Sequence, residues 1–471
     1  MPKVSILIAT YNRADLLPAT LDSALTQTYR DIEVIVSDNA STDNTPELMQ
    51  TYVARDPRVK YIRRSVNEGP IVNYHTALKV ATGDYIAFLD SDDLFHPTKI
   101  ERQLECFNAR PLDMGLVHTH FYYIDGLGRP THRVKFLSEG DLFEPLLRYE
   151  AQIWFGSVLF RRKCIERTGL LDASVIQAAD VDYLLRATRL GFKVGCVREA
   201  LYSHRHHSKN QSANVAGLAE ALFTIYTRIY TDPEVAKQYG VWKEHTFANL
   251  HLDCAGRFLA AGQPEQAREH VARALTLRPE WGQTSQIWIQ TFLCGYALGP
   301  TCDDPVAFVT NWFDHLPRNA AQLSRYRNLM IALAHIGVGL RAFHSGDVQL
   351  AHDKMTHAIE HCPELPKYKS EFIALVDRFV LELPEDDPVG FVNLVLNNWP
   401  DALTELRNVF SNILSDISVA DAFCAWERGD WSRVKRRIVT ALRYHPGAAL
   451  NRGVMSIFTR SVAHSLLRRP S

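Results

Sequence analysis

The sequence predicts an α/β domain over residues 1–215 followed by an all-α solenoid over residues 216–471. Three observations predict it. Short β-branched runs alternate with amphipathic stretches only in the first part, an internal period occupies the second, and 471 residues exceed what one hydrophobic core usually serves.

The first strands are "VSILIA" (4–9), "IEVIVS" (32–37), "VKYI" (59–62) and "YIAFL" (85–89). They are near-continuous apolar runs with helical stretches between them, the pattern of a largely parallel sheet covered on both faces. Thr45 and Pro46 read as the N-cap and first residue of one helix, and Pro97 as the opening of another through Phe107. Ligands of such sheets bind beyond the carboxyl ends of the strands.

From about residue 216 strand signals stop. "AAGQPEQAREHVARALTLRP", "FHSGDVQLAHDKMTHAIEHCP" and "ERGDWSRVKRRIVTALRYHP" align Gly262, Gly346 and Gly429, then Ala274, Ala358 and Ala441, then Pro279, Pro363 and Pro446, at intervals of 84 and 83 residues. "DPVAFVTNWFDHLP" and "DPVGFVNLVLNNWP" form a second matched pair at the same interval. A Gly turn and small residues in each copy predict stacked helical hairpins similar to tetratricopeptide repeats, with two hairpins per unit.

Composition restricts the function classes. Fifty-two basic against 53 acidic residues leave a formal charge of -1, so no overall attraction to nucleic acid is expected. The eight cysteines lack any C-x-x-C pair and read as reduced thiols, which predicts a cytoplasmic protein. The first residues run directly into "KVSILIA", and no apolar run approaches the ~18 residues of a membrane span. After Asp430 the chain has nine Lys or Arg and no acid, with Val454, Ile457, Phe458, Val462 and Leu466 at helical spacing. This reads as a final helix capping the solenoid with a basic outer face, and adds peripheral contact with an anionic membrane to the expectations.

The chemistry concentrates in "DYIAFLDSDDLFHP" (84–97), where Asp90, Asp92 and Asp93 follow the end of a strand. Carboxylates this close either stay in water or are neutralised by a cation. A solvated capping loop before Pro97 is the plain alternative. A hard divalent ion takes one or two such carboxylates and completes its shell with phosphate oxygens and water.

"VSILIATYNRADLLPATLDSALTQTYRDIEVIVSDNASTDNT", "NEGPIVNYHTALKVATGDYIAFLDSDD", "SVLFRRKCIERTGLLD" and "AADVDYLLRATRLG" together resemble family-2 glycosyltransferases of the GT-A fold, over roughly residues 1–212. The resemblance implies inverting, non-processive transfer of a sugar from a nucleotide-diphosphate sugar, since the membrane helices and Q-x-x-R-W motif of the processive members are missing. It implies Mn or Mg as cofactor and UDP as the first expectation for the nucleotide, with dTDP as the alternative. Asp90-Ser91-Asp92 matches the D-x-D element, Asp90 toward the ribose and Asp92 on the metal. Thr10, Tyr11 and Asn12 match the nucleotide-binding loop, with Tyr11 beside the base. Asp38 and Asn39 stand where the family often has two aspartates, and Asn73 matches a family asparagine preceded here by Val72 in place of a basic residue. An amide oxygen at 39 still accepts from a base N–H.

Inverting transfer needs one general base, and the Glu-Asp pair that supplies it in the family reads Ala179-Asp180 here. Asp180 is the expected base. Asp182, about 200° further round a helix, points elsewhere. "YSHRHHSKNQS" resembles the family's segment after the last strand, with Arg205, His207, Asn210 and Ser212 matching. That implies His207 on the metal and Arg205 as counter-charge to the diphosphate, with His204 or His206 replacing His207 under a register shift. A zinc site there lacks cysteines or acids at finger-like spacing. "WFGSVLFRR" (154–162) reads equally as a buried strand and as the family's acceptor-side wall. The expected partners are a nucleotide sugar and a polypeptide, glycan or lipid-linked glycan acceptor, with a homo-oligomer through the helical domain as a further expectation. The rival reading is an inactive nucleotide-sugar-binding scaffold whose helical repeats bind protein.

Overall fold

The computed structural model describes residues 3–109, 113–206, 214–299, 302–382, 388–427, 429–447 and 452–467. It divides into two compact units, Met1–Glu280 and Trp281–Ser471.

The first unit is built on a sheet whose hub is β1 (Val4–Thr10). β1 pairs in parallel with β2 (Ile32–Asp38) on one side and β4 (Tyr85–Asp90) on the other, and β3 (Val59–Arg63) continues the parallel run beyond β2. The remaining strands are β5 (Leu94–Phe95), β6 (Met114–Ile124), β7 (Pro130–Val134), β8 (Leu159–Arg161) and β9 (Lys193–Arg205), in the order β3-β2-β1-β4-β8-β6-β9-β5 with β7 paired to β6. β8 runs antiparallel to β4 and β6, so the sheet is mixed rather than parallel throughout. The register sets Ala9 beside Asp90 and Thr10 beside Asp38, which brings three strand-end loops together where the strand order reverses.

Side chains alternate across the sheet. Leu7, Ile35, Ile86 and Phe88 enter one core, while Ile6, Ile8, Val34, Val36, Ala87 and Leu89 enter the other. The second core is closed by α1 (Leu17–Leu25), α2 (Thr45–Arg55) and α4 (Lys99–Asn108). The first is closed by α3 (Pro70–Val80), α5 (Phe143–Leu147), α6 (Arg162–Thr168), α7 (Ala179–Arg189) and α8 (Val215–Thr231). The four strands expected first stand within one residue of their sequence limits. Two helix starts move: α2 begins at Thr45 itself behind Asn44, and α4 begins at Lys99 because Pro97 sits in a turn closed by Lys99 N donating to His96 O at 3.0 Å.

No strand follows Arg205 among the described residues. α8, α9 (Pro233–Tyr239), α10 (Lys243–Ala260) and α11 (Pro264–Leu277) complete the first unit. The second unit contains α12 (Gln286–Trp288) running into a π-helical stretch, Ile289–Ala297, then α13 (Pro305–Asp314), α14 (Arg327–Ser345), α15 (Val348–His361), α16 (Lys369–Glu382), α17 (Pro388–Asn397), α18 (Arg407–Glu427), α19 (Trp431–Tyr444) and α20 (Arg452–Leu467).

The period is visible in the backbone. Gly262, Gly346 and Gly429, each between two paired helices, all hold left-handed φ of 70°, 85° and 73°. Ala274, Ala358 and Ala441 are completely buried one helix later. On α19, Arg433 and Arg437 bind Asp421, while Lys435, Arg436 and Arg443 lie on the outer face and make it basic. Arg468 and Arg469 lie outside the described residues. Val454 and Ile457 of α20 pack on Val434 and Ile438. Among the described residues no helix is long and apolar enough to cross a membrane, and every cysteine whose side chain is described is a free thiol.

Candidate active site

The loops after β1, β2 and β4 border a cleft of about 450 Å³. Of the residues expected from sequence, Thr10, Tyr11, Asn39, Asn73, Asp90, Ser91, Asp92 and Asp180 line it. They come from three strand ends and two helices, so only the fold assembles them.

Two expected residues serve the loops instead. Asn12, at a left-handed φ of 51°, accepts from Thr42 N at 2.8 Å and donates its own N–H to Ser41 Oγ at 2.9 Å, tying the first loop to the second. Asp38 is fully buried, and its carboxylate accepts from Ser41 N at 2.9 Å and Tyr61 Oη at 2.6 Å. Tyr11 remains 44% exposed in the cleft, an open aromatic face.

Asn39 and Asn73 have fixed amides. Asn73 accepts from Ser37 Oγ at 2.5 Å and donates to Ser37 O at 2.7 Å and Thr10 O at 3.3 Å, bridging the ends of β1 and β2. Asn39 Oδ1 accepts from Glu68 N at 3.1 Å and its Nδ2 donates to Asn67 Oδ1 at 2.5 Å. A backbone N–H only donates, so the amide at 39 has one orientation.

In the acidic loop the three carboxylates have different surroundings. Asp90 accepts from Tyr74 Oη at 2.6 Å, and Asp92 lies 3.7 Å from the Arg13 guanidinium. Asp93 faces away and is fully buried. Its carboxylate accepts from Arg205 N at 2.8 Å, from Tyr202 Oη, and contacts His204 Nδ1 at 3.0 Å. Asp93 is therefore the anchor of the loop, and Asp90 and Asp92 face the cleft. Asp90 opens to cleft water but is crowded by protein behind it. That desolvation, with the charges of Asp93 and Asp92, pushes its carboxyl up to about 7. Burial pulls the His204 imidazole down, but the Asp93 carboxylate more than offsets this and its pKa is raised.

Asp180 stands in the first turn of α7, and burial holds its carboxyl above the ordinary range against the pull of backbone N–H groups. Asp182 is buried on another side, ion-paired to Arg186 at 2.7 Å and to Arg228. Arg205 does not line the cleft; it is 5% exposed and its guanidinium donates to backbone carbonyls. His207, Asn210 and Ser212 lie outside the described residues, whereas His204 lines the cleft, 4.5 Å centroid to centroid from Trp154.

Sequence reasoning missed Arg13, Asn67, Tyr74, Gln177 and the aromatic wall of Trp154 and Phe155. The signal for that wall in the sequence is "WFGSVLFRR", which reads equally as a buried strand.

The carboxylate set fits a hard divalent ion. Asp90 and Asp92 are oxygen donors whose mutual repulsion a cation would relieve, and among the described residues no third His, Cys, Asp or Glu joins them at ligand geometry. Mg²⁺ and Mn²⁺ commonly take one or two protein carboxylates and leave the remaining positions to phosphate and water.

Residues 5–167 match the description "Glycosyl transferase family 2". The chain is 32% identical over 217 residues to the UDP-Glc:alpha-D-GlcNAc-diphosphoundecaprenol beta-1,3-glucosyltransferase WfaP of Escherichia coli, covering 81% of that protein and 45% of this one. The chain belongs to glycosyltransferase family 2. This family-2 glycosyltransferase is also 35% identical over 147 residues to an uncharacterized glycosyltransferase of Rickettsia conorii, of whose length it spans 24%, the match covering 31% of this chain. Among solved structures, the mannosyltransferase PcManGT of Pyrobaculum calidifontis in complex with GDP-Man and Mn2+ is similar at 20% identity and a TM-score of 0.44, over 69% of this chain and 87% of that one. The family-2 match spans the loops of Thr10, Asn39 and Asp90, and ends before Asp180.

Proposed function

We propose that the protein is an inverting, metal-dependent, non-processive glycosyltransferase that uses Asp180 as general base. The observation that carries this reading is that Asp180 lines the same cleft as Asp90 and Asp92. The acceptor hydroxyl gives its proton to Asp180 as its oxygen attacks the anomeric carbon, and the bond from that carbon to the nucleotide diphosphate breaks on the opposite face. A carboxyl raised by burial is a stronger base than an exposed one, which suits proton abstraction from a hydroxyl. Asp92 would hold Mn or Mg, which when bound neutralises charge on the departing diphosphate, and Asp90 beside it is assigned to the ribose.

Thr10, Tyr11, Asn39 and Asn73 are assigned to the nucleotide, Tyr11 offering its ring to the base and Asn39 its amide to the base edge. UDP is favoured because the E. coli relative uses UDP-Glc, with dTDP as the alternative. That relative's acceptor is a diphosphoundecaprenol-linked GlcNAc, which favours a lipid-linked glycan over a polypeptide acceptor here. The helical repeats are assigned to a tetratricopeptide-like solenoid that holds the acceptor or joins copies of the chain. A cytoplasmic location peripheral to the membrane fits the basic face of α19.

The test is Asp180→Asn. Turnover should fall about 100-fold or more while UDP binding with Mn²⁺, measured by calorimetry, stays within about twofold. A variant that turns over as fast as the parent removes Asp180 from the mechanism. No turnover by the parent across UDP-, dTDP- and GDP-sugars with lipid-linked glycan and peptide acceptors favours the inactive scaffold.

A further inference from the structure

We infer that Arg205 is a positioning residue, which fixes the main chain of Asp92 by joining it to the turn between β6 and β7. An arginine beside a diphosphate site has two possible duties: to offer charge to the phosphates, or to use its planar fork of five N–H donors on fixed acceptors. The side chain here is committed to the second. Nε donates to Asp92 O at 2.9 Å, and Nη1 donates to Asp125 O at 2.9 Å and Gly126 O at 3.0 Å. Those carbonyls belong to two loops far apart in sequence. The same residue's backbone N–H holds the Asp93 carboxylate, so main chain and side chain grip consecutive residues of the acidic loop.

The turn is itself rigidly made. The Asp125 carboxylate accepts from Leu127 N and Arg129 N, both at 2.9 Å, and from Arg129 Nε at 2.8 Å, while Asp125 O also accepts from Gly128 N at 3.0 Å. None of these turn residues lines the cleft. A surface turn thus sets where Asp92 stands, and Asp92 is the residue whose placement the proposed reaction depends on most. This inference rests on that reading of Asp92 as the metal-bearing carboxylate.

The test compares Arg205→Lys, Arg205→Ala and Asp125→Ala, reading kcat, donor KM, half-saturating Mn²⁺ and melting temperature. Lysine keeps the charge but its single ammonium cannot reproduce the fork. Arg205→Lys should lower kcat by roughly tenfold to 100-fold and raise the half-saturating Mn²⁺ several-fold, with donor KM within about twofold. Asp125→Ala should move the same two quantities in the same direction at an almost unchanged melting temperature. The double variant should be no worse than Arg205→Lys alone, because both act through one linkage. The inference is overturned if Arg205→Lys matches the parent while Arg205→Ala raises donor KM alone, or if Asp125→Ala leaves both quantities unmoved. Should Arg205 variants not fold, Asp125→Ala decides. If the parent itself turns over no donor, the proposed function fails, yet Mn²⁺-dependent UDP binding measured by calorimetry still reads the linkage.

Discussion

At the residue scale the acidic loop is three carboxylates in four positions doing two jobs. Asp93 is paired and buried, and Asp90 is left with a proton affinity raised to about 7. A carboxyl raised above its unfolded value makes the folded state bind the proton more tightly, so its contribution to stability is complete below the unfolded pKa and is lost as pH climbs through the folded one. Asp90→Asn, which stays neutral, should therefore melt close to the parent near pH ~4 and above it near pH ~8 in the absence of metal. It should also lose most of the stabilisation that Mn²⁺ with UDP confers. Thermal melts at the two pH values check this, and an equal gap at both would remove the charge-crowding account. The acidic run after a strand end marked Asp90 and Asp92 in the sequence itself, whereas Thr10, Tyr11 and Asp180 came from the family resemblance, and all five line the cleft. Tyr74 and Trp154 were illegible because nothing local marks a tyrosine in a helix as reaching Asp90 or a tryptophan before a strand as lining the cleft. Asn12, Asp38 and Arg205 carry side chains that suit a ligand, but the loops consume them, and hydrogen bonds between loops leave no trace in a string of letters.

At the scale of elements, the buried strands were read to within a residue because both faces of a parallel strand demand apolar side chains. The helices after β9 were harder. α8 has the same helical period as those that follow it, so its partner could not be read from its pattern. In the fold Leu218, Leu222, Ile225, Tyr226 and Tyr230 of α8 share a core with Leu7 and Phe88 of the sheet. Burying each is worth about 1.5–3 kcal/mol, and five together rival the ~5–15 kcal/mol by which a whole domain is stable. A fragment ending at residue 215 should thus fail to fold, while one ending at residue 280 should melt cooperatively and bind UDP. Circular dichroism and calorimetry on the two fragments decide it. Cooperative melting and UDP binding by the shorter fragment would show that α8 is dispensable to the sheet.

At the scale of the whole molecule, the formal charge of -1 conceals an uneven distribution. The 41 residues after Asp430 carry nine positive charges and no negative one, leaving a formal -10 on everything before them. Lys435, Arg436 and Arg443 on α19 are part of that cationic end. Full-length protein should co-sediment with vesicles containing anionic lipid and not with neutral ones, and the difference should shrink as salt is raised. Binding that ignores lipid charge removes the membrane role. The same polarity has a further effect when no bilayer is offered. Near 0.01 M ionic strength the screening length grows to about 30 Å, and the acidic body of one chain becomes the nearest available counter-ion for the cationic end of another. Dilute buffers would then favour loose, salt-reversible clusters, so a sedimentation profile that sharpens on adding sodium chloride would be read as electrostatic pairing rather than as a defined oligomer.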